Sequence, residues 1–77
     1  MPRPSKPVDT STFTGQIGAR IRARRERLKL TVPEAAERTG SNDQTWYSWE
    51  RGRHLPLERL PAIADALSCK VRALIPD

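Results

Sequence analysis

With 77 residues the chain is long enough for one small domain, which buries only about 60% of the surface its unfolded chain exposes and has no room for a deep substrate cavity. Fourteen Lys and Arg against nine Asp and Glu give a formal charge of +5, which favours a polyanionic partner such as nucleic acid or an anionic membrane surface. The single cysteine, Cys69, excludes an internal disulfide framework and a cysteine-rich zinc site, and no apolar run approaches the roughly 18 residues of a membrane span, so the cytoplasm is the expected compartment.

Residues 1–12 (MPRPSKPVDTST) carry three prolines, Arg3, Lys6 and no apolar periodicity, a composition expected to be disordered in isolation. They read either as an uninvolved leader or as a basic arm that reaches phosphates or a minor groove. A helix is expected from Thr14 or Gly15 to about Lys29, with Ile17, Ile21 and Leu28 on one face and Phe13 over its beginning. Gly18 inside it costs roughly 1 kcal/mol against alanine, which points to close packing or to a weak first turn. Five arginines lie between Arg20 and Arg27. At about 100° per residue, Arg24 and Arg25 fall within roughly 60° of the Ile21 direction, while Arg20, Arg22 and Arg27 lie at the outer edges. The inner two need partners, because an unpaired buried guanidinium is costly.

The next stretch, TVPEAAERTGSNDQTWYSWERGR over residues 31–53, reads as two short helices hinged at Gly40. Thr31 and Glu34 form a capping box, Pro33 sits in the first turn, and Ala35, Ala36 and Thr39 make a narrow face that a neighbouring helix can approach closely. Gly40 supplies the left-handed residue that ends the run, and Ser41 or Asn42 caps the following helix, over 42–51. With Trp46 pointing inward, Trp49 and Glu50 lie within roughly 60° of it, and Gln44, Tyr47, Ser48 and Arg51 cluster on the opposite side. The two tryptophans read as core rather than as a platform for unpaired bases, because they share the face opposite the polar residues. The outward face offers amide, hydroxyl and guanidinium groups and suits insertion into a DNA major groove.

The loop LPLERLP, residues 55–61, leads into a helix from Arg59 or Leu60 with Pro61 in its first turn. Leu60, Ile63, Ala64 and Leu67 make its apolar stripe, Ser68 stands at its C-cap, and Cys69 reads as a small buried apolar group. Residues 71–75 form one further turn stopped by Pro76. His54 has no second ligand in view and takes no role. One histidine, one cysteine and no paired carboxylates argue against an enzyme.

The segments IGARIRARRERLKL (17–30), TVPEAAERTG (31–40), TWYSWERGR (45–53) and LPAIADALSCKVRALI (60–75) resemble the phage-repressor family, the Cro/repressor-like or xenobiotic-response-element helix-turn-helix proteins. The resemblance spans about residues 16–75 and is most specific at the W-E-R-G ending. It implies an all-α, compact five-helix repressor-like DNA-binding domain over 14–77 behind a flexible basic, Pro-rich arm over 1–13. It makes Asn42 the cap of the reading helix, freeing Gln44 from a possible capping box with Ser41. It also pairs the inward acid Glu50 with Arg25, tying the first helix to the reading helix. Val32 stands where relatives often carry a glutamine that supports a phosphate contact, Ser41 where they carry an apolar residue, which is expected to leave the turn less firmly packed, and Asp43 where they often carry Arg, Gln or Ser.

Double-stranded DNA is therefore the expected partner, bound by a homodimer on a palindromic operator. Asp43, Gln44, Thr45, Tyr47 and Ser48 are the candidate base readers, and Asn42, Arg51, Arg53 and Arg22 the candidate phosphate contacts. Asp43 either accepts from a cytosine amino group or does no more than favour the helix dipole. In relatives the last helix and the loop before it meet a second copy, which makes Leu55, Val71 and Ala73 the candidate dimer contact. No metal, cofactor, small-molecule ligand or membrane association is expected. The rival function is a protein-interaction module of the same fold, antitoxin-like or an anti-regulator, with weak DNA binding.

Overall fold

Thr12, in extended backbone, accepts a hydrogen bond from the Gly15 N–H at 3.0 Å and caps the first helix, α1 (Phe13–Arg27). The structure, a computed structural model, describes residues 11–76, and the expected arm, with Arg3 and Lys6, lies outside them up to residue 10. Because threonine supplies the cap, α1 begins at Phe13 rather than at Thr14 or Gly15. It also ends before Lys29, which turns into the left-handed region at φ 59°. Leu28, expected on the apolar face, is thereby rolled outward and is 36% exposed, while Leu30 packs against the core. Phe13, at 53% exposed, covers little of that face.

Thr31 and Glu34 close a reciprocal capping box at the start of α2 (Val32–Arg38): the Glu34 N–H donates to the Thr31 hydroxyl at 3.3 Å, and the Thr31 N–H to the Glu34 carboxylate at 2.8 Å. Those donors at Thr31, its backbone N–H foremost, hold the Glu34 carboxyl below the usual carboxylate range. Gly40, at φ 70°, turns the chain into α3 (Asp43–Glu50). A 3-10 turn at Leu57–Arg59 then leads into α4 (Leu60–Ala66), with Pro61 in its first turn, and α5 (Val71–Leu74) follows. Among the described residues the protein is all-helical: five helices and no strand.

The core is built from one stripe of each helix: Ile17 and Ile21; Val32, Ala35 and Ala36; Trp46 and Trp49; Leu60, Ile63, Ala64 and Leu67; and Leu74. Burial of each large side chain contributes about 1.5–3 kcal/mol, so this cluster, not helix propensity, holds such short helices together. The two indoles sit 5.6 Å apart with their planes tilted by 59°. Two arginines complete the C-terminal end of α4. Arg24 donates to the Leu67 and Ser68 carbonyls at 3.2 and 3.1 Å, and Arg38 to the Ala66 carbonyl at 3.0 Å. They satisfy acceptors the helix leaves without intrahelical donors, where Ser68 takes the left-handed turn at φ 55° that glycine makes more readily. Cys69 is half-buried and packs on the core.

Candidate nucleic-acid interface

The cap of α3 is Asn42: its side-chain oxygen accepts the Thr45 N–H at 2.8 Å. Ser41 turns the other way. Its hydroxyl lies 3.2 Å from the Ala36 carbonyl and 2.6 Å from the Thr39 hydroxyl, and its N–H donates to the same Ala36 carbonyl at 2.9 Å. A serine here was expected to leave the turn less firmly packed; instead it closes the end of α2 with hydrogen bonds where an apolar side chain would have packed. Gln44, left out of that closure, is exposed.

The eight residues of α3 divide sharply by burial. Trp46, Trp49 and Glu50 are buried; Asp43, Gln44 and Tyr47 are exposed, with Thr45 and Ser48 between. The Ser48 hydroxyl donates to the Gln44 carbonyl at 3.1 Å, so toward a ligand it can only accept. Past the helix, Arg51 forms the C-cap, Gly52 takes φ 74°, and the Arg53 N–H donates to the Ser48 carbonyl at 2.8 Å. Arg51 and Arg53 are both exposed, so their guanidinium groups extend the polar face beyond the last turn. Arg22 lies on α1 rather than on this face, exposed and 3.2 Å from Glu26 one turn along.

The inner face is fixed by an ion-paired network. Arg25 Nε donates to Glu50 Oε2 at 2.5 Å, Arg25 Nη2 to Oε1 at 3.4 Å, and Arg25 Nη1 to the Leu30 carbonyl at 2.9 Å. Glu50 is 4% exposed, and its hydrogen bond holds the Arg25 guanidinium more firmly charged than usual. Sequence reasoning did not find the third member: Trp46 Nε1 donates to the same Glu50 oxygen at 2.6 Å, across one turn of α3. The i, i+4 spacing of an inward Trp and an inward Glu was the available signal.

A second constraint was half visible in the composition. A Cβ on Gly18 would lie 2.5 Å from the Glu50 carbonyl and 2.7 Å from the Gly52 nitrogen, and a Cβ on Gly52 would lie 2.6 Å from the Gly15 nitrogen. The weak-first-turn alternative for Gly18 is thereby excluded. α1 and the end of α3 touch backbone to backbone, which sets the depth at which α3 stands out from the domain. Val32, the departure at the start of α2, is 5% exposed and belongs to the core, so no polar side chain stands at that position.

Near the start of α3, His54 and Arg59 share a cleft of about 600 Å³ with Asn42 and Thr45, which brings together residues far apart in sequence. Of the candidate dimer residues, Leu55 and Val71 are half-buried against the core and Ala73 is exposed. Among the described residues no group of His, Cys, Asp or Glu is placed to hold a metal ion, and no helix is long and apolar enough to cross a membrane.

Residues 16–75 match a family profile described as helix-turn-helix domain. The fold is similar to part of hydroxypropylphosphonic acid epoxidase from S. wedmorenis, at 30% identity and a TM-score of 0.77 over 84% of this chain and 35% of that one. It is also similar to the clp gene regulator ClgR from Corynebacterium glutamicum, at 26% identity and a TM-score of 0.76 over 82% of this chain and 68% of that one. The chain thus spans about a third of the epoxidase's length. No curated protein sequence matches it.

Proposed function

Because the chain belongs to the helix-turn-helix domain family, we propose that it is a sequence-specific, double-stranded DNA-binding transcriptional regulator of the Cro/repressor type, a cytoplasmic repressor of a small operon. The family and the likeness to a gene regulator point to a non-enzymatic DNA-binding protein. The division of α3 carries this function: its inner face is locked to α1 through Glu50, and its outer face presents Asp43, Gln44 and Tyr47 to solvent.

Inserted in a major groove, Gln44 pairs with adenine, Asp43 accepts from cytosine, and Thr45, Tyr47 and Ser48 meet neighbouring base edges or a thymine methyl group. Arg51, Arg53, Asn42 and Arg22 contact phosphates and supply most of the affinity and its salt dependence. Two copies meet through Leu55, Val71 and Ala73 and set two reading helices about 34 Å apart on a palindromic site.

Selection from a randomised duplex library, followed by titration of the enriched sequence at two salt concentrations, tests this. An enriched palindrome with half-sites about one helical turn apart is the expected result. Salt-sensitive binding without enrichment would move the function to the rival, a protein-interaction module, which the exposed Asp43 and the buried Val32 favour.

A further inference from the structure

The arginines of α1 fall into two sets with opposite surroundings. Arg22 and Arg25 are paired with Glu26 and Glu50. Arg20, Arg24 and Arg27 have no carboxylate partner among the described residues. At about 100° per residue, these three and Ala23 share one stripe of α1, roughly opposite Gly15 and Gly18, which face the end of α3. The stripe overlooks a groove of about 230 Å³ between α1 and α5, floored by Ala23, Ala73 and Leu74 and rimmed by Arg20, Arg24 and Arg27.

Arg24 is held in place by its bonds to the Leu67 and Ser68 carbonyls, which fix the guanidinium without neutralising it. From Arg20 to Arg27 the stripe runs about 10 Å, the rise of two helical turns. Carboxylates at i, i+4 and i+7 of a second helix match that spacing, and an apolar residue at i+3 of the same helix would sit over the alanines. A nucleic-acid backbone offers phosphates but nothing to cover the apolar floor. We propose that the α1/α5 groove, on the side of α1 away from the reading helix, docks an acidic amphipathic helix of a partner protein, with carboxylates on the three guanidinium groups and one apolar side chain on the Ala23, Ala73 and Leu74 floor.

The docking is read on the free chain without DNA, so its failure and that of the duplex function are distinguishable. Because Ala73 lies both in the groove floor and in the proposed contact between copies on DNA, the two uses of that residue exclude each other. The probe is a labelled synthetic helical peptide carrying Glu at i, i+4 and i+7 and Leu at i+3, titrated into the full chain by fluorescence anisotropy. Saturable binding is expected, and it should fall about tenfold or more in the Arg20→Ala/Arg27→Ala variant, the loss of one or more charge-assisted hydrogen bonds. It should fall similarly when the peptide's Glu residues become Gln. The Arg51→Ala/Arg53→Ala variant removes the same charge and should keep peptide affinity within about threefold, because it leaves the groove intact. Circular dichroism confirms that each variant folds, and Arg24 is left in place because it holds α4.

Three outcomes overturn the proposal. One is a peptide that does not bind, or binds the two variants equally. Another is a loss of duplex affinity in the Arg20/Arg27 variant as large as that in the Arg51/Arg53 variant, which would make the stripe a phosphate track. The third is a free chain that sediments as a dimer without DNA and becomes monomeric in the Arg20→Ala/Arg27→Ala variant, which would mean that a second copy already covers the groove.

Discussion

The two faces of α3 are made from adjacent residues and held in opposite ways. On the inner face Trp46, Trp49 and Glu50 are buried, and one carboxylate receives both a guanidinium and an indole N–H. On the outer face the side chains of Asp43 and Gln44 carry no hydrogen bond in the structure, and Ser48 bonds only to its own helix. The difference teaches that the helix is anchored by one set of residues and exposed through another. If the proposed function holds, inner residues set where the helix stands, and outer residues set what it meets there. Substitutions on the two faces should therefore fail in different assays.

The largest effect belongs to Glu50→Ala. It leaves Arg25 with a charge facing a nearly dry site and Trp46 Nε1 without its acceptor. Removing one partner of a largely buried pair costs about 3–5 kcal/mol, a substantial part of the roughly 5–15 kcal/mol that holds a typical domain together. Thermal unfolding should show a midpoint lower by tens of degrees, or no cooperative transition at all. Glu50→Gln keeps the shape and an acceptor for the indole, so its midpoint should lie between those of the wild type and Glu50→Ala. Equal midpoints for wild type and Glu50→Ala would mean that the network contributes nothing to holding α3.

Gly18→Ala attacks the same face through sterics. The new Cβ meets the Glu50 and Trp49 carbonyls and the Gly52 nitrogen, all backbone, so no side chain can swing aside and the helices must separate. Overpacking of this kind costs about 1–3 kcal/mol, offset in part by the better helix propensity of alanine, worth up to about 1 kcal/mol. A folded variant with weakened duplex binding is expected, because α3 would be shifted while its outer side chains stay intact. Full stability together with full affinity would show that the backbone contact does not set the depth of the reading helix.

Arg51→Ala/Arg53→Ala should leave thermal stability almost unchanged, since both side chains are exposed. Binding should weaken for every duplex, and the salt slope should flatten by about 0.9 for each phosphate contact removed. An unaltered slope would remove both residues from the phosphate contacts.

The pattern of what could be read from the sequence follows from the range of the interactions. Caps and periodicity are local, and Thr31, Glu34, Gly40, Asn42, Pro61 and the inward tryptophans all carry short-range signals. The outward face of α3 is a consequence of the same 3.6-residue period. Leu28 was misplaced because the left-handed turn at Lys29 has no glycine to announce it, and the helix period was carried past the true end. The arginine contacts to the end of α4 span 43 and 28 residues, and the cleft joining Arg59 and His54 to Asn42 is formed across the loop that follows α3, so only the folded chain brings these groups together. The Trp46 to Glu50 bond is local and was within reach; treating tryptophan as purely apolar hid its N–H.

The smallest effects sharpen the outer face itself, by comparing Gln44→Ala with Ser48→Ala. The Gln44 amide is exposed and can donate and accept at adenine in one bidentate contact, worth about 1–3 kcal/mol of discrimination. The Ser48 hydroxyl has its proton committed to the Gln44 carbonyl and can only accept, from a cytosine or adenine amino group. Gln44→Ala should therefore relax preference at one base position of each half-site about tenfold or more. Ser48→Ala should change it far less, and it also relieves the helix of a back-bonded hydroxyl that slightly weakens its own turn. Library selection on both variants measures the difference. A larger loss of preference in Ser48→Ala would mean that its proton leaves the Gln44 carbonyl for a base in the complex, and that the hydrogen bond of the free domain is broken on binding.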